Sequence, residues 1–336
     1  MSLQTSIATN RFGLGARPNE LAEAEKDPKR WLIAQLKQQP AVSFNASLPT
    51  SAQIGLKLEQ YRKDKKARKL AFKQASNPKQ LQNKQPKGKS FHRDTLRQLA
   101  TDTITQAINS NHSLNWRLLD FFSNHFSVSA KGRIMTALAP TLEREAIGPN
   151  LLGQFEDMLM AVVQHPAMLI YLNNQKSFGP DSRLGRKGRG LNENLAREIM
   201  ELHTLGVDGG YSQHDVTELA KGITGWSVAR PTNTEQADFK FRQAGHQPGS
   251  RLLLGKTYRQ LGISQGKAML RDLANHPATA RFVCTKIVHH FISDAPLPSL
   301  VNKLVSTWQA TQGNIQAVIT TLINAEESWN IPVTKF

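Results

Sequence analysis

The sequence predicts a mainly α fold: a single multi-helix domain over residues 1–336, with at most a short β-hairpin near residues 238–258. Three observations carry that reading. Apolar residues recur with the period of a helix face through most of the chain. Few segments alternate with period two, as a half-buried strand does. The 336 residues, 39% of them hydrophobic, suffice to bury a large core.

Taken in order, "NELAEAEKDPKRWLIAQLKQQP" reads as two short helices broken at Asp27-Pro28, with Trp31, Leu32 and Leu36 inward. "LKLEQYRKDKKARKLAFKQ" suits a charged helix, and "ASNPKQLQNKQPKGKS" behind it has the polar, Pro- and Gly-bearing composition of a mobile loop. Helices resume in "DTLRQLATDTITQAIN", "LNWRLLDFFSNHFSV", "PTLEREAIGPNLLGQFEDMLMAVVQH" and "PAMLIYLNN". A Gly and Arg loop, "GPDSRLGRKGRG", leads into "NENLAREIMELHTLGVDGGYSQHDVTELAKGITGW", two helices joined by a Gly turn. "ADFKFRQAGHQPGSRLLLGKTY" is the strand candidate, two alternating runs around Gly245 and Pro248-Gly249. Helices then run to "NIQAVITTLINAEESW". A helix, His-Pro-Ala, helix pattern appears at both His165 and His276, with Pro166 and Pro277 at the first helical position, which reads as a shared capping solution.

The formal charge of +17 is uneven. Between Lys57 and Arg97, 14 Lys and Arg face three acids (Glu59, Asp64, Asp94), so this stretch carries +11 and the remainder +6. Residues 57–90 therefore read as a basic helical arm and loop inserted in the domain. The single cysteine, Cys284, excludes an intrachain disulfide and a Cys-based zinc site, and its apolar surroundings make it a core residue. No apolar run reaches the roughly 18 to 20 residues of a membrane span, and "MSLQTSIATNRFGLGARPNE" lacks the pattern of a signal peptide, so a cytoplasmic location is expected.

Winding the Asn192 segment as a regular helix places Leu195, Ile199 and Leu202 on a core-facing stripe. Glu193, Arg197 and Glu201 fall opposite, as an i, i+4, i+8 ladder of surface pairing. Glu198 and His203 flank the stripe. A carboxylate taken from water is costly unless paired, so Glu198 should have a partner or a raised pKa. The same winding puts His125 in the middle of the aromatic face of Phe121, Phe122 and Phe126. Glu198 and His203 are too far around the helix to clamp one metal ion. Neither a His-Glu-x-x-His nor a Glu-x-x-His pair occurs, and Ser212 to Asp215 reads first as a capping box. No metal is assigned, and no cofactor is indicated.

The loop carrying Arg183, Arg186, Lys187 and Arg189 feeds a helix N-terminus, where amides and guanidinium groups suit a phosphate or carboxylate, although no Walker A order is present. His246 sits at the expected hairpin tip between Gly245 and Gly249, and Trp226 reads as a packing anchor.

Together "NRFGLG", "FFSNHFSVS", "HPAMLIYLNN", the Asn192–Trp226 run, the His-x-x-Gly of "HQPGSRLLLG" and "HPATARFVCTKIVHHF" resemble a large bacterial family, domain of unknown function 1800, in family order across essentially the whole chain. The resemblance implies a mostly helical single domain and supplies no activity. It points to His125, Asn192, Glu193, Asn194, Arg197, Glu198, Glu201, His203, Asp215 and His246. Many members carry Asp after this last His, where this chain has Gln247. The basic arm and the loop resemble the branch that begins "NRFGLGARP", while many other members look exported.

These readings converge on an enzyme or small-ligand binder with a pocket between the Asn192–Gly206 segment and the His125 helix. Glu198 is the expected general acid or base for hydrolytic or proton-transfer chemistry, His203 and His125 are proton carriers or ligands, and Arg197 is an anion anchor. Asn192, Asn194, Glu201, Asp215, His246, Arg186 and Arg189 are the expected contacts to a small anionic ligand. Two alternatives stand beside it: a nucleic-acid or anionic-surface binder working through residues 57–97, and an interaction protein whose polar motif only locks two helices.

Overall fold

Helices form where the apolar period runs and stop where the sequence caps them. The computed structural model describes residues 2–74, 91–229 and 238–330 and is mainly α. Asp27 ends one short helix (Glu20–Lys26) and starts the next (Pro28–Gln35), its side chain accepting the Arg30 amide at 3.0 Å with Pro28 in the first turn. Both His-Pro-Ala sites cap alike: Nδ1 of His165 accepts from Ala167 N, and Nδ1 of His276 from Ala278 N, each at 3.2 Å. Among the described residues no helix is long and apolar enough to cross a membrane.

The charged arm is a continuous helix from Ser51 to Gln74. Its start is anchored on the body by Glu145, whose two carboxylate oxygens accept from Ser51 N and Ser51 Oγ at 2.6 Å each. A carboxylate at a helix N-terminus is favoured by the orphan amides and the dipole there. His165 Nε2 lies 3.1 Å from the same carboxylate. Burial alone would raise the Glu145 pKa, but the bonds from His165 and Ser51 hold it lowered. The loop expected behind the arm lies outside the described residues.

One apolar cluster includes residues from both ends of the chain, Ile7 and Phe12 together with Phe291, Trp308 and Trp329. Phe12 stacks on Phe291 with centroids 6.0 Å apart and meets Trp329 at 5.6 Å, while Arg11 Nη1 donates to Ser328 O at 2.6 Å. A fully buried Phe of this kind contributes roughly 1.5–3 kcal/mol. Gly13 is needed here because a Cβ would stand 2.5 Å from Thr9 O.

The strands pair differently from the expected hairpin. β1 (Trp226–Val228) pairs antiparallel with β2 (Phe239–Phe241), and β3 (Arg251–Leu253) with β4 (Lys256–Tyr258). The tight turn falls at Leu254-Gly255, both with positive φ, the geometry that matches strand twist in a two-residue hairpin. Gly245 and Pro248-Gly249 therefore connect two separate ribbons, and His246 is buried rather than at an exposed tip, with 6% of its surface accessible. Trp226 is fully buried, as a packing anchor should be.

Candidate functional site

The Asn192 segment is helical only from Asn194 to Glu198; from Ile199 to His203 it is a π-turn. The extra residue in a π-turn shifts the phase of all that follows. Leu202, expected inward, is consequently 44% exposed, whereas His203 is 3% exposed and faces the core. Thr204 Oγ1 donates back to Ile199 O at 2.6 Å, and Gly206 N to Met200 O at 3.1 Å, closing the turn.

His125, at the end of its helix (Ser113–His125), reaches this turn. Its Nε2 lies 3.0 Å from the His203 carbonyl oxygen and its Nδ1 lies 2.9 Å from Lys286 Nζ. A carbonyl only accepts, so Nε2 carries the proton and Nδ1 offers its lone pair to the lysine. The two imidazole centroids are 6.2 Å apart, with Phe126 5.2 Å from the His203 ring. Burial first, then Lys286 and His203, hold His125 well below its usual range, although its bond to the His203 carbonyl pulls the other way. Burial and Lys286 push His203 down to about 3, and its Nδ1 is buried without a partner. Lys286 is itself lowered by burial. Its Nζ lies 5.2 Å from the Phe282 ring centre.

Glu198 does not join this cluster. It is partly buried, and its pKa is raised by burial and then by Glu201 rather than shifted by either histidine. Two of the ladder residues, Glu193 and Arg197, bond to the following helix (Gln213–Gly222). Arg197 Nη2 donates to Gln213 Oε1 at 2.8 Å, while Glu193 accepts from Gln213 Nε2 at 2.8 Å and Thr217 Oγ1 at 2.7 Å. Asn192 closes a turn just ahead of the helix, its Oδ1 accepting from Asn194 N at 2.9 Å. Asp215 completes the capping box with Ser212 and accepts from Leu254 N at 2.8 Å. Burial would raise its carboxyl, but those bonds hold it lowered.

His246 lies against Thr224, Nδ1 3.0 Å from the Thr224 carbonyl oxygen, and burial lowers its pKa. Next to it, Gln247 clamps the Gly and Arg loop: Nε2 donates to Asp181 Oδ2 at 2.7 Å and Oε1 accepts from Asp181 N at 3.0 Å. The loop's own amides are used internally, Gly185 N to Ser182 Oγ and Gly188 N to Gly185 O at 2.9 Å each, and Arg189 N to Gly185 O at 3.2 Å. The amide cradle expected for an anion is therefore closed, and the guanidinium groups are what the loop offers. Arg186 is exposed away from the cavities described below, while Arg189 stacks 5.0 Å over Phe178.

Arg189 lines a cavity of 570 Å³ between the arm helix and the body. Its apolar floor includes Leu58, Ile134, Leu138, Ile170 and Phe178, and Arg62, Lys176, Arg189 and Arg242 surround that floor against one acid, Glu59. A second cavity of 550 Å³ shares Leu58, Arg62, Ile134 and Ile170 and adds Lys65, Lys131, Arg133 and His92. Burial and then Arg133 lower the His92 pKa. On the first cavity's wall Gln175 holds a buried, unpartnered Oε1. None of the cavities described includes His125, His203 or Glu198 in its lining. Among the described residues no group of three or more His, Cys, Asp or Glu is placed to hold a metal ion.

A family model described as protein of unknown function (DUF1800) matches residues 7–336. The chain belongs to this family. No curated protein and no solved structure matches it.

Two groups of this DUF1800 protein escaped the sequence reading. Lys286 sits in the helix (Pro277–Phe291) that carries the His276 cap and Cys284, and nothing local to it signals a partner 161 residues away. Glu143 belongs to another π-turn, Glu143–Ile147, and lines a 190 Å³ cavity. Burial raises its carboxyl despite a 2.6 Å bond from Thr103 Oγ1. A regular helix read through "PTLEREAIGPN" hides both the turn and the burial.

Proposed function

We propose that this protein binds a small amphiphilic anion in the cleft between the arm helix and the body. Arg62, Lys176, Arg189 and Arg242 take the anionic group, and Leu58, Ile134, Ile170 and Phe178 take the apolar part. One observation carries this: the basic arm and the Arg loop, far apart in sequence, face one another across a single apolar floor. The volume lies within the range of small-ligand sites, roughly 300–1,000 Å³, and a few convergent polar groups on an apolar wall are their usual construction. Charge supports it as well. Along the arm Arg62 and Lys66, and Lys65 and Lys69, stand four residues apart on one helix, an arrangement that costs a few tenths of a kcal/mol per pair and is relieved by a bound anion.

Titration with dodecyl phosphate and with decanoate by calorimetry tests the reading. Micromolar binding, weakened at least about tenfold (about 1.4 kcal/mol) by Arg62→Glu or Arg189→Glu, is expected. Binding of neither probe, or binding indifferent to both substitutions, overturns it.

A second reading is favoured by the outward side of the same helix, where Lys63, Lys66 and Lys69 are exposed. There the arm contacts nucleic-acid phosphates, with affinity falling steeply as salt rises. Retention of DNA and RNA after deletion of residues 57–90 overturns it.

A further inference from the structure

We propose that Lys286 is a carbonyl-reactive amine, a site for an aldehyde or ketone that forms an imine on Nζ. The inference is independent of the anion cleft, whose lining does not include this lysine.

Most lysines at protein surfaces are paired with a carboxylate or fully solvated, and both states keep the amine protonated. Lys286 is in neither state. Its one described partner is the neutral His125 ring, at 2.9 Å, and no ion pair to an Asp or Glu is described for it. Phe282, one turn earlier, presents its ring face 5.2 Å from Nζ. The residue is nevertheless only partly buried, so part of its surface meets solvent. Low dielectric with no counter-ion disfavours the ammonium form, the route by which reactive lysines are usually activated.

The neighbours also fix the direction of the amine. His125 cannot rotate freely, because its Nε2–H is held by the His203 carbonyl. Its Nδ1 lone pair therefore holds one N–H bond of Lys286, leaving the remaining positions on Nζ for solvent and reagent. Gly206 allows this arrangement: a Cβ there would stand 2.7 Å from the Phe282 ring.

The step balances without an oxidant. The ammonium first loses one proton to solvent. The amine lone pair then forms a C–N bond to the carbonyl carbon while the π pair moves to oxygen, which takes up a proton. The nitrogen then releases a proton to solvent and the hydroxyl takes up a second one. The nitrogen lone pair forms the C=N bond as the C–O bond breaks and water leaves, and loss of the last N–H proton gives the neutral imine. Net, amine and carbonyl become imine and water.

The test uses the native protein with propanal as probe and cyanoborohydride to trap the imine as a stable secondary amine. Peptide mapping by mass spectrometry follows the rate at each lysine near neutral pH. Lys303, which is ion-paired with Glu327 at 2.8 Å and about half exposed, is the internal reference. Labelling of Lys286 at least about tenfold faster than Lys303 is expected, because the unprotonated amine is the reactive form. His125→Gln, which preserves a hydrogen-bonding side chain, should change the Lys286 rate and leave Lys303 unchanged. Labelling of Lys286 no faster than Lys303 overturns the proposal, whatever the variant does.

Discussion

His125 Nε2 lies 3.0 Å from the carbonyl oxygen of His203, so an imidazole from one helix closes the end of a π-turn in another segment. The carbonyl is one that an ended helix leaves without an amide partner. The ring also separates that carbonyl from Lys286 Nζ, which its other nitrogen holds.

Replacing His125 by Phe should therefore cost more than a change of shape. It leaves a buried carbonyl unpaired, a loss of about 1–3 kcal/mol, and removes the only described partner of Lys286. A fall in urea midpoint with an unchanged m-value is expected, and a smaller fall for His125→Gln.

Stability should decline on mild acidification. His203 is held at about 3 against 6.5 for the free ring, and His125 is also held well below 6.5. The folded pKa is depressed, so below pH 6.5 the unfolded chain binds protons that the folded chain refuses. Stability is intact above that pH and is lost as pH falls towards 3, at up to roughly 1.4 kcal/mol per unit for each ring. Urea midpoints measured between about pH 7 and about pH 5 check the slope. His203→Gln should reduce it by one ring's share, and an unchanged slope would place the titration elsewhere.

Glu198→Gln should leave the melting midpoint equal or slightly higher. The carboxyl has no partner among the described residues, and the charge that acts on it is the like charge of Glu201. A fall of several degrees would reveal a bond that this geometry lacks.

Gln247→Asp should loosen the Arg loop. It replaces a donor 2.7 Å from Asp181 with a second carboxylate. Loss of about 1–3 kcal/mol is expected. Adding Asp181→Asn should recover most of it, and a double-mutant cycle gives the coupling directly.

Gly206→Ala should destabilise by more than the usual loss of chain freedom, because φ is +83° and the new Cβ meets Phe282. The thermal midpoint reads this, and a wild-type value would mean that the Phe282 ring yields freely.

Much of the fold was legible because its signals are local. Asp27-Pro28, the Ser212–Asp215 box and the two His-Pro-Ala caps each depend on residues within one turn of each other. The mainly α class followed from the same periodicity. The site was less legible because two of its features are not local. A π-turn inserts a residue without any compositional mark, so a regular winding put Leu202 where His203 stands. Partners such as Lys286 and His125, or the arm and Arg189, meet only once distant segments have packed. The strand pairing failed similarly: β2 finds β1 rather than the run that follows it. Glu193, Arg197 and Asp215 stood out as polar choices, but their partners on the next helix and at the Leu254 turn lie too far along the chain to be read from local spacing.

The clasp between Phe12, Phe291 and Trp329, with Arg11 on Ser328, has a consequence for biosynthesis. During translation the N-terminal segment emerges long before the residues that cover it. Until Trp329 has been made, Ile7 and Phe12 lack the surface that buries them. Nascent chains stalled short of this point should therefore hold that apolar face open to chaperones and proteases, and it should close in one late step once Trp329 can pack.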